Sequence, residues 1–482
     1  MNPRLAFVLF AGFVVFALIR DTRRRQGVSA GSWLALCWMV IFASRPFSAW
    51  FQSGVVYATS EGYLEGSPID RVVSLLLILA GYVVLGRRRI ALGAITRQNA
   101  WLLAFYTFCA LSVLWSDFPF VAFKRWFKDF GAVVMALILL TDEDPVEAVK
   151  AAFVRCAYIL VPFSVLFIRY FPDLGRTFFG YQSNRLMYVG VATHKNTLGA
   201  LAFVSVVFLL WDLRTRRRGT ATVGRPRYEW AEGSIVLLMA IWILAVADSA
   251  TATVCTVGGV MFFYATELLF VRRMLKAVEL FALLGAGAWF AADSLFNFTE
   301  LVVTSLGRDM NLTSRADGWK LFLSVDINPF IGAGFKTFWA GERMDRIWRE
   351  FGTIVQAHNG YLETYLEGGF IGLFLLAAML WAGFRHIKRH VVAGEDFGRI
   401  RLLFWFLALG YNFSEAGFTQ LSLFWMVTLA VLIEVPCLSA VAVAMPERKQ
   451  ALTPAPIVVR SKWAVPAHRS GRFARRPLHK PS

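Results

Sequence analysis

Charged residues are scarce in this sequence. Lys, Arg, Asp and Glu make up 17% of its 482 residues, and hydrophobic residues make up 57%. A typical soluble domain has roughly 25% charged residues, so this shortage excludes an ordinary water-soluble protein. Apolar runs recur along almost the whole chain, and about 20 such residues are needed for one helix to cross the hydrocarbon core of a bilayer.

Thirteen apolar cores can be placed, several of them short enough to need tilt or burial among their neighbours. Because a lipid-exposed backbone must satisfy its own hydrogen bonds, these cores are expected to be helices. The sequence therefore predicts an all-α, polytopic integral membrane protein with about 12 to 13 transmembrane helices, with cores near residues 4–19, 32–44, 71–86, 100–115, 130–141, 148–168, 197–211, 233–247, 252–270, 276–293, 369–384, 401–412 and 421–436.

Cysteine is also rare, with five residues in or beside apolar cores and no spacing that suits zinc or disulfides. We expect these cysteines to pack in the interior. The N-terminus lacks the charged region and small-residue cleavage site of a removable signal peptide, so the first helix is expected to remain as an anchor.

Short basic loops indicate which side of the membrane is cytoplasmic. The basic runs are 23–25, 87–89, 214–218, 272–273 and 385–389. If all of them lie on the cytoplasmic side, the N-terminus is outside and the C-terminus is inside. The tail 446–482 is basic and Pro-rich and has too few apolar residues to bury a core, so it is expected to be disordered near the anionic cytoplasmic leaflet. The net charge of +18 comes largely from such segments and does not favour a nucleic-acid partner.

Two of the six histidines, His194 and His358, fall in predicted outer loops, each just before a helix. His358 lies in the long predicted loop 294–368, whose length favours a functional role. A histidine has an ordinary pKa of about 6.5 and can act as a general base on a sugar hydroxyl. The alternative is that each histidine only caps its helix locally.

The predicted outer loops also contain many cations, against the usual charge bias. Arg can grip phosphate oxygens through two parallel hydrogen bonds, which suggests an anionic ligand such as a diphosphate. The alternative is that these side chains anchor the protein at the membrane interface. The cations are Arg71, Lys124, Arg125, Lys128, Arg169, Arg176, Arg185, Lys195, Arg308, Arg315, Lys320 and Lys336.

If residues from 359 onward are helical, Asn359, Glu363 and Glu367 share one face and two tyrosines share another. Polar and aromatic faces together suit a sugar site. A Pro-Gly-Gly loop at residues 328–335 permits a sharp turn or a close backbone approach.

Four motifs in this order resemble the O-antigen ligase and Wzy-type polysaccharide polymerase superfamily. Within about residues 190–385, the resemblance is carried by His194-Lys195-Asn196, Ser314-Arg315 before Trp319, residues 329–334, and Ala357-His358-Asn359-Gly360 leading to residues 367–372. Residues 44–48 and 65–71 are similar to the ExoQ-like exopolysaccharide-polymerase branch.

The resemblance implies a metal-independent glycosyltransferase with a GT-C-like membrane fold and no cofactor, in the bacterial inner membrane. Its donor is expected to be an undecaprenyl-diphosphate-linked glycan at the periplasmic face, and other polysaccharide assembly and export proteins are possible partners. The expected organisation is a transmembrane domain over residues 1–445, which contains the core 190–385 and the periplasmic loop 294–368, followed by the tail 446–482.

The resemblance assigns catalysis to His358, which assists the attacking hydroxyl, and to Arg315, which holds the diphosphate. Further substrate-binding residues are expected to be Arg185, His194, Lys195, Asn196, Asn359 and Glu363. Ligases of the superfamily have an Arg where this sequence has Ala250. This departure favours a polymerase over a ligase to lipid A-core, with Lys195 or Arg185 supplying the second cation.

An alternative interpretation is that the protein transports lipid-linked glycans and catalyses no reaction. Transporters often show an internal repeat and ionisable residues near the bilayer midplane. No repeat is obvious here, and the polar motifs gather on the predicted outer side. A structural member of an envelope assembly complex is a third reading that the sequence leaves open.

Overall fold

The computed structural model describes residues 1–51, 66–88, 90–178, 186–223, 230–268 and 315–436, with single residues 271, 274, 277, 279 and 438. Twelve of the thirteen predicted apolar cores fall on helices. The core 276–293 apart from residues 277 and 279, the loop 294–314 and the tail 446–482 lie outside the described residues. The prediction of an all-α polytopic membrane protein is confirmed. The helices are α1 (Pro3–Arg24), α2 (Gly31–Phe42), α3 (Pro68–Arg87), α4 (Leu92–Gln98), α5 (Ala100–Leu111), α6 (Pro119–Leu140), α7 (Pro145–Tyr170), α8 (Pro172–Gly175), α9 (Lys195–Val223), α10 (Ala231–Ala247), α11 (Ala250–Ala265), α12 (Arg315–Ser324), α13 (Gly341–Phe351), α14 (Gly360–Ala393), α15 (Asp396–Tyr411) and α16 (Leu423–Leu432).

Among the described residues, five helices are long and apolar enough to cross a membrane by length and composition: α1, α3, α7, α14 and the segment Lys195–Arg217 of α9. Shorter apolar helices, among them α2, α10, α11 and α16, pack around them. Four described cysteines are free thiols. Cys109, Cys156 and Cys255 are buried, as expected, but Cys37 is exposed and does not pack in the interior.

Two local features differ from the sequence prediction. Strands β1 (Arg176–Phe178) and β2 (Leu186–Tyr188) form a small antiparallel hairpin that the apolar pattern did not indicate. Residues 116–129 were predicted to be an outer loop, but α6 begins at Pro119. Proline at the first helical position favours such a start. The helix continues through Asp129 because the buried carboxylate of this residue is paired with Lys336 at 3.0 Å.

Buried ion pairs join α1, α7 and α9 at the end of the molecule that carries the basic runs. Arg25 contacts Asp21, Glu147 and Asp212, and Arg155 binds Asp21 at 2.8 Å. Buried charges are tolerated only when they are paired, which explains this concentration of opposite charges. Because α9 runs from Lys195 to this end, the motifs that begin α9 and α14 lie at the opposite end.

The loop 328–334 is joined to α14 by backbone hydrogen bonds. Gly369 breaks the helix with a φ of 60°. The loop takes over the hydrogen bonds that the break releases: the amides of Phe370 and Ile371 donate to the carbonyls of Pro329 and Phe330 at 2.8 and 3.0 Å. In the other direction, the amides of residues 333 and 334 donate to the carbonyls of residues 366 and 367.

We predict that Gly369→Ala destabilises the protein by more than about 1 kcal/mol, since the φ is positive and a Cβ would lie 2.3 Å from the carbonyl carbon of Phe330. Thermal unfolding of the detergent-solubilised protein measures this. The control is Gly258→Ala in α11, where a Cβ would meet nothing within 4 Å. Equal melting temperatures for the two variants would contradict the interlock.

Candidate active site

The carboxylate of Glu415 lies at the centre of the candidate site, in the loop between α15 and α16. It is 6% exposed. Nδ1 of His358 lies 3.1 Å from its Oε2, and the guanidinium of Arg315 and the side-chain amide of Asn196 donate to its Oε1 at 3.2 and 2.7 Å. Three residues singled out in the sequence, from the starts of α9, α12 and α14, therefore meet on one carboxylate.

His358 is held in place by the backbone around it. Its φ of 50° is a left-handed conformation that costs energy for most residues and is often kept at functional sites. The next residue, Asn359, caps α14 by accepting hydrogen bonds from the amides of residues 361 and 362. The amide of Gly360 donates to the carbonyls of Asn412 and Glu415, which ties the start of α14 to the loop of Glu415.

His194 caps α9 through its side chain, because its Nδ1 accepts the backbone amide of Asn196 at 3.2 Å. Burial lowers the pKa of His194 below its ordinary value. The charges of Lys195, Arg315 and His358 lower it further. Glu415 acts in the opposite direction. The local capping that the sequence left open is therefore present, and it coexists with a position close to the other site residues.

Arg315 begins α12 and binds the site loop twice, through Glu415 and through the carbonyl of Ser414. The hydroxyl of Ser414 shares a hydrogen bond of 2.7 Å with that of Thr251 at the start of α11. One turn along α12, Trp319 donates to the carbonyl of Ala357, next to His358, at 2.8 Å. The motif that contains Arg315 thus supports the histidine as well as the carboxylate.

Lys195 lies beside the site but binds a different carboxylate. Its ammonium contacts the carbonyl and the side chain of Asp248 at 3.0 and 3.3 Å. Asp248 comes two residues before Ala250, the position at which the resemblance described above implies an Arg in ligases. A cation from α9 therefore lies near the position that lacks one on α11.

The structure places Glu363 beneath the site rather than at its surface. This residue is 3% exposed, and its two oxygens accept the indole N–H of Trp339 at 2.6 Å and the amide of Ala357 at 2.8 Å. Glu367, one turn on, is also buried. That Glu363 binds substrate remains a prediction, but its contacts favour support of the loop that carries His358.

Several of the predicted outer cations serve the fold. Lys336 binds the buried Asp129, and Arg176 donates to the carbonyl of Ile168 at 3.0 Å. Arg185 and Arg308 lie outside the described residues. Within the described part of the chain, no group of three or more His, Cys, Asp or Glu side chains is arranged to hold a metal ion.

Sequence reasoning missed Glu415. Its only local signal is that it is the single acid in the short outer segment 413–420 between two apolar helices. With Glu415 included, the site offers an oriented imidazole for proton transfer and a guanidinium for an anion. These groups suit transfer of a group whose leaving part is anionic.

Comparison with known proteins indicates which family this sequence resembles. Residues 186–377 match the O-antigen ligase family model, a region that contains His194, Arg315 and His358. The chain is a multi-pass membrane protein in which one region, residues 186–377, is similar to the O-antigen ligase family. It is also similar to the exopolysaccharide production protein ExoQ of Rhizobium meliloti (strain 1021), with 25% identity over 307 residues that cover 61% of this chain and 67% of ExoQ. The resemblance to this superfamily and to its ExoQ-like branch is confirmed.

We predict that Glu363→Gln lowers the free energy of unfolding by about 1 to 3 kcal/mol. Glutamine can offer only one oxygen to the two donors, so its own NH₂ faces an N–H. The unfolding temperature of the solubilised protein, followed by tryptophan fluorescence, measures the change. The matched control is Glu350→Gln on the exposed side of α13. An unfolding temperature equal to that of the control would show that Glu363 does not support this loop.

Proposed function

We propose that this protein is a metal-independent glycosyltransferase that polymerises undecaprenyl-diphosphate-linked oligosaccharide repeat units into exopolysaccharide at the periplasmic face of the bacterial inner membrane. The observation that carries the proposal is the convergence of His358, Arg315 and Asn196 on the buried carboxylate of Glu415. The similarity to ExoQ and to the O-antigen ligase family supports the class of reaction.

In the proposed reaction His358 acts as the general base. Because Glu415 accepts from Nδ1, the proton of a neutral imidazole is on Nδ1 and the lone pair of Nε2 is available. The acceptor hydroxyl oxygen attacks the anomeric carbon of the donor glycan while its proton passes to Nε2. The bond from that carbon to the diphosphate oxygen breaks, and the diphosphate leaves with the electron pair.

Arg315 stabilises the charge that develops on the leaving diphosphate. Its contacts with Glu415 and Ser414 use the two terminal nitrogens. A guanidinium has five N–H donors, so several can still point at a ligand. Cations held in place before the reaction are an effective way to stabilise such charge.

Of the two candidates for the second cation, Lys195 lies within the described residues, and its contact with Asp248 puts it near Ala250. The absence of an Arg at residue 250 supports a polymerase over a ligase that transfers glycan to lipid A-core. The family description, O-antigen ligase, keeps ligation as the second candidate.

We predict that His358→Asn and Arg315→Ala abolish polymer formation in cells that lack the native protein. Removing a general base lowers rates about 10² to 10⁴-fold, and Asn tolerates the left-handed backbone at residue 358. Arg315→Lys should retain part of the activity because it keeps the charge but loses the planar fork. Glycans are resolved by size and by lipid attachment at matched membrane expression.

The control for Arg315 is Lys320→Ala, which removes an 83% exposed cation from the same helix and should leave polymer unchanged. Single repeat units on the lipid carrier, exposed at the periplasmic face, would support polymerisation. Full polymer from His358→Asn would refute the catalytic assignment. Repeat units retained on the cytoplasmic side would point to transport, and polymer that never reaches lipid A-core would point to ligation.

The second cation gives a separate prediction. Lys195→Ala should reduce polymerisation about 10-fold or more, because one cation is lost beside the diphosphate. Ala250→Arg in the Lys195→Ala background should restore part of the activity, since residue 250 is half-buried beside Asp248 and can direct a guanidinium to the same place. Failure of both Ala250→Arg and Ala250→Lys to restore activity, with normal membrane levels, would argue against a charge requirement here.

A further inference from the structure

A continuous chain of hydrogen bonds links the two outer histidines. The backbone amide of Asn196 donates to Nδ1 of His194 at 3.2 Å, and the side chain of the same Asn196 donates to Oε1 of Glu415 at 2.7 Å. Oε2 of Glu415 in turn lies 3.1 Å from Nδ1 of His358. One asparagine and one glutamate therefore orient both imidazole rings.

These hydrogen bonds fix different tautomers for the two imidazole rings. A backbone amide can only donate, so Nδ1 of His194 must accept, and the proton of the neutral ring is on Nε2. The carboxylate of Glu415 accepts from Arg315 and Asn196, and it accepts from Nδ1 of His358 as well. In neutral His358 the proton is therefore on Nδ1, and Nε2 carries the lone pair.

We propose that the two histidines divide the work of the reaction: His358 presents a basic Nε2, whereas His194 presents an N–H at Nε2 that donates a hydrogen bond to a diphosphate oxygen of the lipid-linked donor. Asn196 and Glu415 are the positioning residues that impose this difference. The proposal rests on the proposed function for its ligand, a glycan diphosphate, but the tautomers themselves do not depend on glycan transfer.

The surroundings of His194 favour a neutral donor over a second base. Burial disfavours the charged ring, and Lys195, Arg315 and His358 add positive charge nearby, with Glu415 as the opposing group. These effects lower the pKa of His194, so the ring is harder to protonate than that of an ordinary histidine. The same cations attract an anionic oxygen to this side of the site.

The first test is NMR of the full-length protein in lipid nanodiscs with ¹⁵N-labelled histidine, with signals assigned by loss in His194→Asn and His358→Asn. We expect His194 to be the Nε2–H tautomer and to take up its second proton at a lower pH than an ordinary histidine, and we expect neutral His358 to be the Nδ1–H tautomer. Addition of undecaprenyl diphosphate should shift the Nε2 signal of His194. An Nδ1–H tautomer at His194, or an unchanged Nε2 signal when undecaprenyl diphosphate binds, would overturn the proposal.

Two variants distinguish the role of His194 as a hydrogen-bond donor from its role as the cap of α9. Asn carries its amide oxygen near the place of Nδ1, so His194→Asn keeps the helix cap and loses the donor. Gln carries its amide nitrogen near the place of Nε2, so His194→Gln keeps a donor and loses the cap. We expect His194→Asn to melt like the native protein but to bind undecaprenyl diphosphate at least 10-fold more weakly. His194→Gln should melt earlier but keep more of the affinity.

If His194→Asn, which keeps the helix cap, also keeps more of the affinity for undecaprenyl diphosphate than His194→Gln does, then His194 has a structural role and not a donor role. Glu415→Gln tests the positioning residue: its amide can donate to Nδ1 of His358 and move the ring proton to Nε2, which the same NMR experiment detects. Loss of polymer in Glu415→Gln together with an unchanged His358 tautomer would contradict the positioning role. The expected tautomers combined with full polymer from His358→Asn would support the tautomer assignment and refute the catalytic role that the proposed function gives to His358.

Discussion

The buried carboxylate of Glu415 is the interaction on which the site end of the molecule depends. A buried carboxylate is tolerated only with donors around it, and here the donors come from three helix starts that are far apart in sequence. The same loop accepts the amide of Gly360 through its backbone and binds Thr251 through Ser414. One charge therefore sets the relative positions of α9, α12 and α14, and it also orients the imidazole of His358.

Most of the fold could be predicted because each helix that crosses a bilayer needs a continuous apolar segment, and such segments can be identified directly in the sequence. Twelve apolar cores fall on described helices for this reason. The start of α6 could not be found in this way, since Asp129 and the cations before it read as a polar loop. Tertiary contacts make the helix compatible with the buried charge of Asp129, since Lys336 pairs with it and the hydroxyl of Tyr106 donates to it at 2.9 Å.

The candidate site was predicted in part, and the reasons differ between residues. His194, Arg315 and His358 stand out by residue type and by their place before helices. Glu415 has no repeated spacing around it and lies beyond the matched family region, which ends at residue 377. Glu363 shows another limit: helical periodicity tells which residues share a face but not whether the face points to solvent or to Trp339. The role of residues 329–334 depends on a tertiary contact, because their backbone replaces the hydrogen bonds broken at Gly369.

The pairing of Arg315 with Glu415 connects ligand binding to proton transfer in the proposed reaction. Before a diphosphate arrives, the guanidinium neutralises part of the carboxylate charge and is kept ordered, so little side-chain freedom is lost on binding. In the proposed reaction Arg315 keeps its contacts with Glu415 and Ser414 and turns its remaining N–H donors to the diphosphate. The carboxylate of Glu415 therefore stays in place and continues to orient Nδ1 of His358 while the leaving group is bound. One ion pair thus holds in place both the group that binds the diphosphate and the group that takes the proton.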